Sequence, residues 1–149
     1  MPRVLLVVNP QASGVTDAAA ETVAAALGPG VEVVRTERRG HAVELVRDAD
    51  AGAVVVFGGD GAFNEALNGL RAGLPLGLVP GGGSSVLPRA LGLPNDVEDA
   101  ARRIADAIRI DRTSEVSLGR VNGRRFGFAA AFGFPAEVVG RVDELGRED

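Results

Sequence analysis

Three short apolar runs in this chain each break into a glycine-bearing loop and then into a stretch of helical character. That repeated unit restricts the fold more than any other feature. The loops are Asn9-Pro10-Gln11-Ala12-Ser13-Gly14 after residues 4–8, Gly58-Gly59-Asp60-Gly61 after residues 53–57, and Pro80-Gly81-Gly82-Gly83-Ser84-Ser85 after residues 76–79. Continuous apolar runs of this length fit strands buried on both faces of a parallel sheet. A further strand is expected at 31–35. Helices are expected at 16–27, opened by Thr16 and Asp17 and closed by Gly28-Pro29-Gly30, then at about 40–48, 62–71, 85–91 and 97–110. Strict alternation implies right-handed crossovers, so the expected fold is α/β: an open, mostly parallel Rossmann-like sheet with helices on both faces. It should end in a β-hairpin, since Val116, Leu118 and Val121 precede Asn122-Gly123 and Phe126, Phe128 and Ala130 follow it. Residues 1–134 then form one α/β domain. Residues 135–149 begin like an amphipathic helix and run out in charge without a cap.

Composition narrows the chemistry. The 149 residues are 46% apolar, enough to bury a core, and carry 20 acidic against 16 basic residues, with no basic cluster that would suit nucleic acid. Every basic residue is Arg. A phosphate loop built around a lysine, GxxxxGK followed by Ser or Thr, is therefore excluded, and any phosphate site must use backbone or Arg. The absence of Cys removes disulfides, thiolate metal sites and a thiol nucleophile. The apolar run at the N-terminus stops at Asn9-Pro10, too short for a signal core or a membrane span. A cytoplasmic setting is expected, with any membrane contact peripheral.

In an open parallel sheet the carboxyl ends of the strands share one edge, so the three loops should gather at one mouth. Glycine lets backbone N–H groups approach a ligand closely, and the helix starts that follow add free donors and partial positive charge. Phosphate is the ligand this suits, although any single loop reads equally well as a tight turn. Asp60, between glycines, suits orientation of a hydrated Mg²⁺ or acceptance of loop amides. Asn64, Glu65 and Asn68 form a polar strip on the next helix, with a solvated face as the plainer reading of Asn68. Thr36 is either a mouth residue or an ordinary strand-end threonine. His41 suits a helix start, and Arg38-Arg39 and Arg124-Arg125 read first as solvated charge.

The segments VNPQASG, GGDGAFNEALNGL and LGLVPGGGSSVLPRALGLP occur in the order seen in the diacylglycerol kinase catalytic domain, and the chain resembles that family. Sphingosine kinases are similar, and SLGRVNGRRFGFAAAFGFPAEVV extends the likeness over nearly the whole chain. NAD kinases and phosphofructokinases share the GGDG-type loop, but NPxSG and NExxNGL favour the lipid kinases. The resemblance implies the N-terminal domain fold of the NAD kinase and diacylglycerol kinase type, with residues 1–134 as the nucleotide-binding domain and residues 135–149 as the start of a linker to a second, β-rich domain absent from this chain. It also implies ATP used with Mg²⁺ to phosphorylate a lipid hydroxyl at a membrane surface. It places Asn9, Ser13, Gly14, Thr36, Gly58, Gly59, Asp60, Gly61, Asn64, Gly82, Gly83 and Ser84 around the nucleotide, with Asp60 and Glu65 as catalytic residues.

Two departures bear on this. Relatives read GGDGT where this chain has Ala62, and GTxND where it has Gly82, Gly83, Ser84, Ser85 and Val86. Each lost polar contact weakens nucleotide binding by about 1 kcal/mol, with Ser84 or Ser85 as substitutes. The family's Asp-Gly-Glu segment, which supplies the base from its second domain, has no counterpart in the sequence. The chain alone is thus expected to be inactive. A nucleotide-binding or regulatory domain, or a kinase acting on NAD or a sugar phosphate, are the alternative readings.

Overall fold

The computed structural model describes residues 2–128 and 130. Its elements follow in the order β1 (Val4–Val8), α1 (Asp17–Leu27), β2 (Val31–Arg35), α2 (His41–Arg47), β3 (Ala53–Gly58), α3 (Asp60–Gly69), β4 (Leu76–Pro80), α4 (Val86–Ala90), α5 (Val97–Arg109), β5 (Gly119–Val121) and β6 (Arg124–Phe126). The first four strands form one parallel sheet in the order β2-β1-β3-β4, and β5 and β6 form an antiparallel hairpin. The expected α/β fold with its terminal hairpin is the one observed. The helix-like segment anticipated from residue 135 lies outside the described residues.

Period-two alternation sorts the central strands between two cores. Leu5, Val7, Val54 and Val56 face α2 and α3, whereas Val4, Leu6, Val8, Val55 and Phe57 face α1 and α5. Burial on both faces explains why β1 and β3 read as unbroken apolar runs. Strand β2 is partly exposed along its length and lies at one edge of the sheet.

Helix starts follow the capping chemistry. Thr16 accepts the Ala19 N–H at the start of α1, and Asp96 accepts the Asp99 N–H at the start of α5. Helix α3 departs from expectation, beginning at Asp60 instead of near residue 62, because Gly59 is its extended N-cap. Asp60 therefore belongs to the first turn of a helix, where a carboxylate is favoured by the helix dipole.

Two contacts pin α3 to its neighbours. A Cβ on Gly69 would collide with the Val43 carbonyl, so only glycine lets α2 and α3 approach so closely here. Asn68 grips the hairpin: its Nδ2 donates to the Arg125 carbonyl at 2.9 Å and its Oδ1 accepts the Arg125 N–H at 2.8 Å. Arg125 returns the contact, donating from Nη1 to the Leu67 and Leu70 carbonyls at the end of α3. Both residues are half-buried and hydrogen-bonded, whereas the plainer sequence reading has each fully solvated.

Substituting Asn68→Ala should lower stability by about 1–3 kcal/mol, the cost of leaving the paired backbone groups unmatched. Gly69→Ala should cost at least about 2 kcal/mol through overpacking. Urea unfolding followed by circular dichroism measures both, and a wild-type midpoint for either variant would contradict the packing described.

Candidate functional site

Strand order reverses between β1 and β3: the chain runs from β1 outward to β2, then crosses back to β3 and on to β4. Such a switch point opens a crevice at the carboxyl ends of the two strands. The three glycine loops meet there. The Gly81 N–H donates to the Gly58 carbonyl at 2.7 Å, and the Gly14 N–H donates to the Gly81 carbonyl at 2.8 Å, linking third loop to second and first loop to third. Gly82 packs so closely that a Cβ on it would lie 2.8 Å from the Gly59 Cα.

Beside the loops, Asn9 is held by strand ends on both sides. Its N–H donates to the Phe57 carbonyl at 2.9 Å, while its Oδ1 accepts the Gln11 N–H at 3.1 Å and the Thr36 hydroxyl at 3.2 Å. Because the Gln11 N–H must face an oxygen, the Nδ2 donors of Asn9 point elsewhere and are available to another acceptor. Thr36 is buried at the end of β2, with its N–H on the Val8 carbonyl. The strand-end threonine and the asparagine thus form one unit.

The mouth is rich in unused backbone donors. Among the described residues, the amides of Ser13, Gly59, Asp60, Gly61, Ala62, Gly82, Gly83 and Ser84 donate to no backbone carbonyl. Those of residues 60–62 are the free first-turn amides of α3, a ten-residue helix. Gly61, Gly83 and Ser84 are exposed, and a Cβ on Gly61 or Gly83 would meet nothing within 4 Å. This arrangement can bind an oxyanion without lysine.

The two expected catalytic carboxylates are both engaged with backbone. Asp60 Oδ2 accepts the Val86 N–H and Oδ1 the Leu87 N–H, each at 3.0 Å. Glu65 Oε1 accepts the Gly40 N–H at 2.8 Å, tying α3 to the loop after Thr36. Asn64 is half-buried, on the same helix. The Ala62 side chain is buried in the core beneath this turn, so only its amide faces the mouth chemistry.

Several residues carry more structure than their sequence context suggested. Ser85 is buried in the left-handed region at φ 45, with its hydroxyl on the Gly82 carbonyl at 3.0 Å. The one asparagine of the GTxND pattern falls at this position, and asparagine tolerates that conformation better than serine. His41 takes the helix-start role, its Nδ1 accepting the Glu37 N–H at 3.1 Å. Arg38 pairs with Glu44 at 2.6 Å, and its guanidinium holds that exposed carboxyl below the usual range. Cavities of about 430 and 360 Å³ exist elsewhere, one between β2 and α2 and one between β4 and α5. Neither includes a glycine-loop residue, and an open mouth lined by amides fits the donor chemistry better than either. No cluster of three or more potential metal-ligating side chains occurs among the described residues.

Comparison with known proteins agrees with the fold. The diacylglycerol kinase catalytic domain matches residues 3–121. A diacylglycerol kinase of Staphylococcus haemolyticus is 38% identical, over 69% of this chain and 32% of its own. The sphingoid long-chain bases kinase 1 of Arabidopsis thaliana is 27% identical, over 93% of this chain and 21% of its own. A solved diacylglycerol kinase structure from Bacillus anthracis superposes with a TM-score of 0.73 at 29% identity, covering 83% of this chain and 45% of that one. The chain thus spans between a fifth and two fifths of the curated relatives it matches and under half of the solved structure.

Gly82→Ala should push the second and third loops apart and lower stability by about 1–3 kcal/mol. Gly83→Ala, with open space around it, should stay within about 0.5 kcal/mol of wild type. Equal destabilisation of the two variants in thermal unfolding would refute the loop packing.

Proposed function

The chain belongs to the diacylglycerol kinase catalytic-domain family, and from that premise we propose that it is the ATP-binding domain of a lipid kinase. The observation that carries the reading is the set of free amides at the β1–β3 switch point. Residues 59–62 and 82–84, with Ser13 and Gly14 beside them, would cradle the phosphates. Asn9 and Thr36 would meet the rest of the nucleotide through Nδ2 and the threonine hydroxyl. Asn64 and Glu65 stand on the same helix, next to where the transferred phosphoryl group would lie.

Mg²⁺ fits this site as a partner of the phosphates more than of the protein. Both oxygens of Asp60, the carboxylate at the loop junction, already accept backbone amides, so the ion would be held by substrate phosphates and water. When bound it would neutralise phosphate charge. The chain's own contribution is positioning: amides fixed by the sheet edge bind the donor and need no reorganisation as charge shifts toward the leaving group. The acceptor, a lipid hydroxyl presented at a membrane surface, and the base that takes its proton are proposed to lie with the remaining, β-rich part of the family's catalytic region. Residues 1–134 would then be the donor-binding domain and residues 135–149 the beginning of the connection. No helix among the described residues is long and apolar enough to cross a membrane.

A second reading, a nucleotide-binding or regulatory domain without catalysis, is favoured by one observation. Both Asp60 and Glu65 are already committed to backbone amides.

Calorimetry should detect ATP with Mg²⁺ at millimolar concentration or below, and no heat of binding at that level would overturn both readings. The protein made from its complete reading frame should phosphorylate one of a panel of diacylglycerols and sphingoid bases. Binding without any lipid product would favour the regulatory reading. Gly83→Thr restores a hydroxyl where relatives carry one and has room for it, and should tighten ATP by roughly fivefold.

A further inference from the structure

We propose that Asp60 is a positioning residue, whose carboxylate clamps α4 and thereby holds the third glycine loop in the shape that presents its amides to the mouth. The inference rests, for its functional consequence, on the nucleotide reading above. Helix α4 has only five residues, too few to persist on its own. It also lacks a cap of its own: Ser85 at its N-cap makes no side-chain bond to the helix amides, because it sits at φ 45 with its hydroxyl turned back to the Gly82 carbonyl. The first-turn donors of Val86 and Leu87 would be orphaned, and each finds a separate oxygen of Asp60 at 3.0 Å. The cap comes from 26 residues away in sequence.

The geometry explains why one residue can set a whole loop. Gly81 enters the loop bonded to the Gly58 carbonyl, and residues 86 and 87 leave it bonded to Asp60. The two anchors, the last residue of β3 and the first of α3, flank Gly59, so residues 82–84 bridge two points of one junction. Asp60 is itself fixed as the first residue of α3. Leaving Ser85 in the left-handed region costs free energy that the clamp offsets. Asp60 thus acts on the nucleotide through loop shape, whereas a metal ligand would act only through the ion.

Amide hydrogen exchange and calorimetry on the full chain separate these roles. In wild type, the Val86 and Leu87 amides should exchange at least about tenfold more slowly than those of Gly83 and Ser84. Asp60→Asn places an amide donor where one backbone donor needs an oxygen. It should speed exchange at Val86, Leu87 or both by on the order of tenfold, and weaken ATP by the same factor with Mg²⁺ and with EDTA. Unchanged exchange in the variant, or weakening seen only with Mg²⁺, would overturn the proposal. Should Asp60→Asn not fold, equal wild-type exchange at residues 83, 84, 86 and 87 would overturn it alone. Should wild type bind no nucleotide, the nucleotide reading fails while the exchange pattern still decides the clamp.

Discussion

Side-by-side pairing of β1 and β3, each buried on both faces, is the constraint from which the rest of the molecule follows. Val4 to Val8 run in register with Ala53 to Phe57, and the sheet hydrogen bonds carry on into the first loop through the Asn9 N–H and the Phe57 carbonyl. Neither strand can slip without moving a row of apolar side chains from one core to the other. The two chains must therefore leave the sheet at the same edge and at the same height. Their loops meet there by necessity, and β4 delivers the third loop alongside through the bond from Gly81 to Gly58.

What the meeting creates is a surface of backbone donors. A chain without lysine cannot place a flexible ammonium against phosphates, and the arginines near this mouth are partly committed, Arg38 to Glu44 and Arg89 to the Ser84 carbonyl. Amides held by a sheet edge and a helix start supply the positive end of many small dipoles with no side-chain entropy to lose. The carboxylates at the same place serve the scaffold: Asp60 joins α3 to α4, and Glu65 joins α3 to the loop that follows Thr36. Helix α3 is accordingly the hub, tied also to α2 through Gly69 and to the hairpin through Asn68 and Arg125.

The strands, the helix order and the gathering of the loops were legible because burial and turn chemistry write themselves into local pattern. Apolar runs marked β1 and β3, and Asn122-Gly123 marked the hairpin. Partners distant in sequence were not legible. Nothing near Asp60 indicates that its oxygens face Val86 and Leu87, and nothing near Asn68 points to Arg125. The start of α3 was missed by two residues because Gly-Asp-Gly reads as a loop, although Gly59 serves as an N-cap.

The amides at the switch point are proposed to bind a polyphosphate. Titrating ¹⁵N-labelled chain with ATP and Mg²⁺ and mapping the amide shifts tests it most directly. The predicted result is large, saturable shifts at Ser13, at residues 59–62 and at residues 82–84. Shifts concentrated instead around His41, Glu44 and Asp48, which line the cavity between β2 and α2, would contradict it.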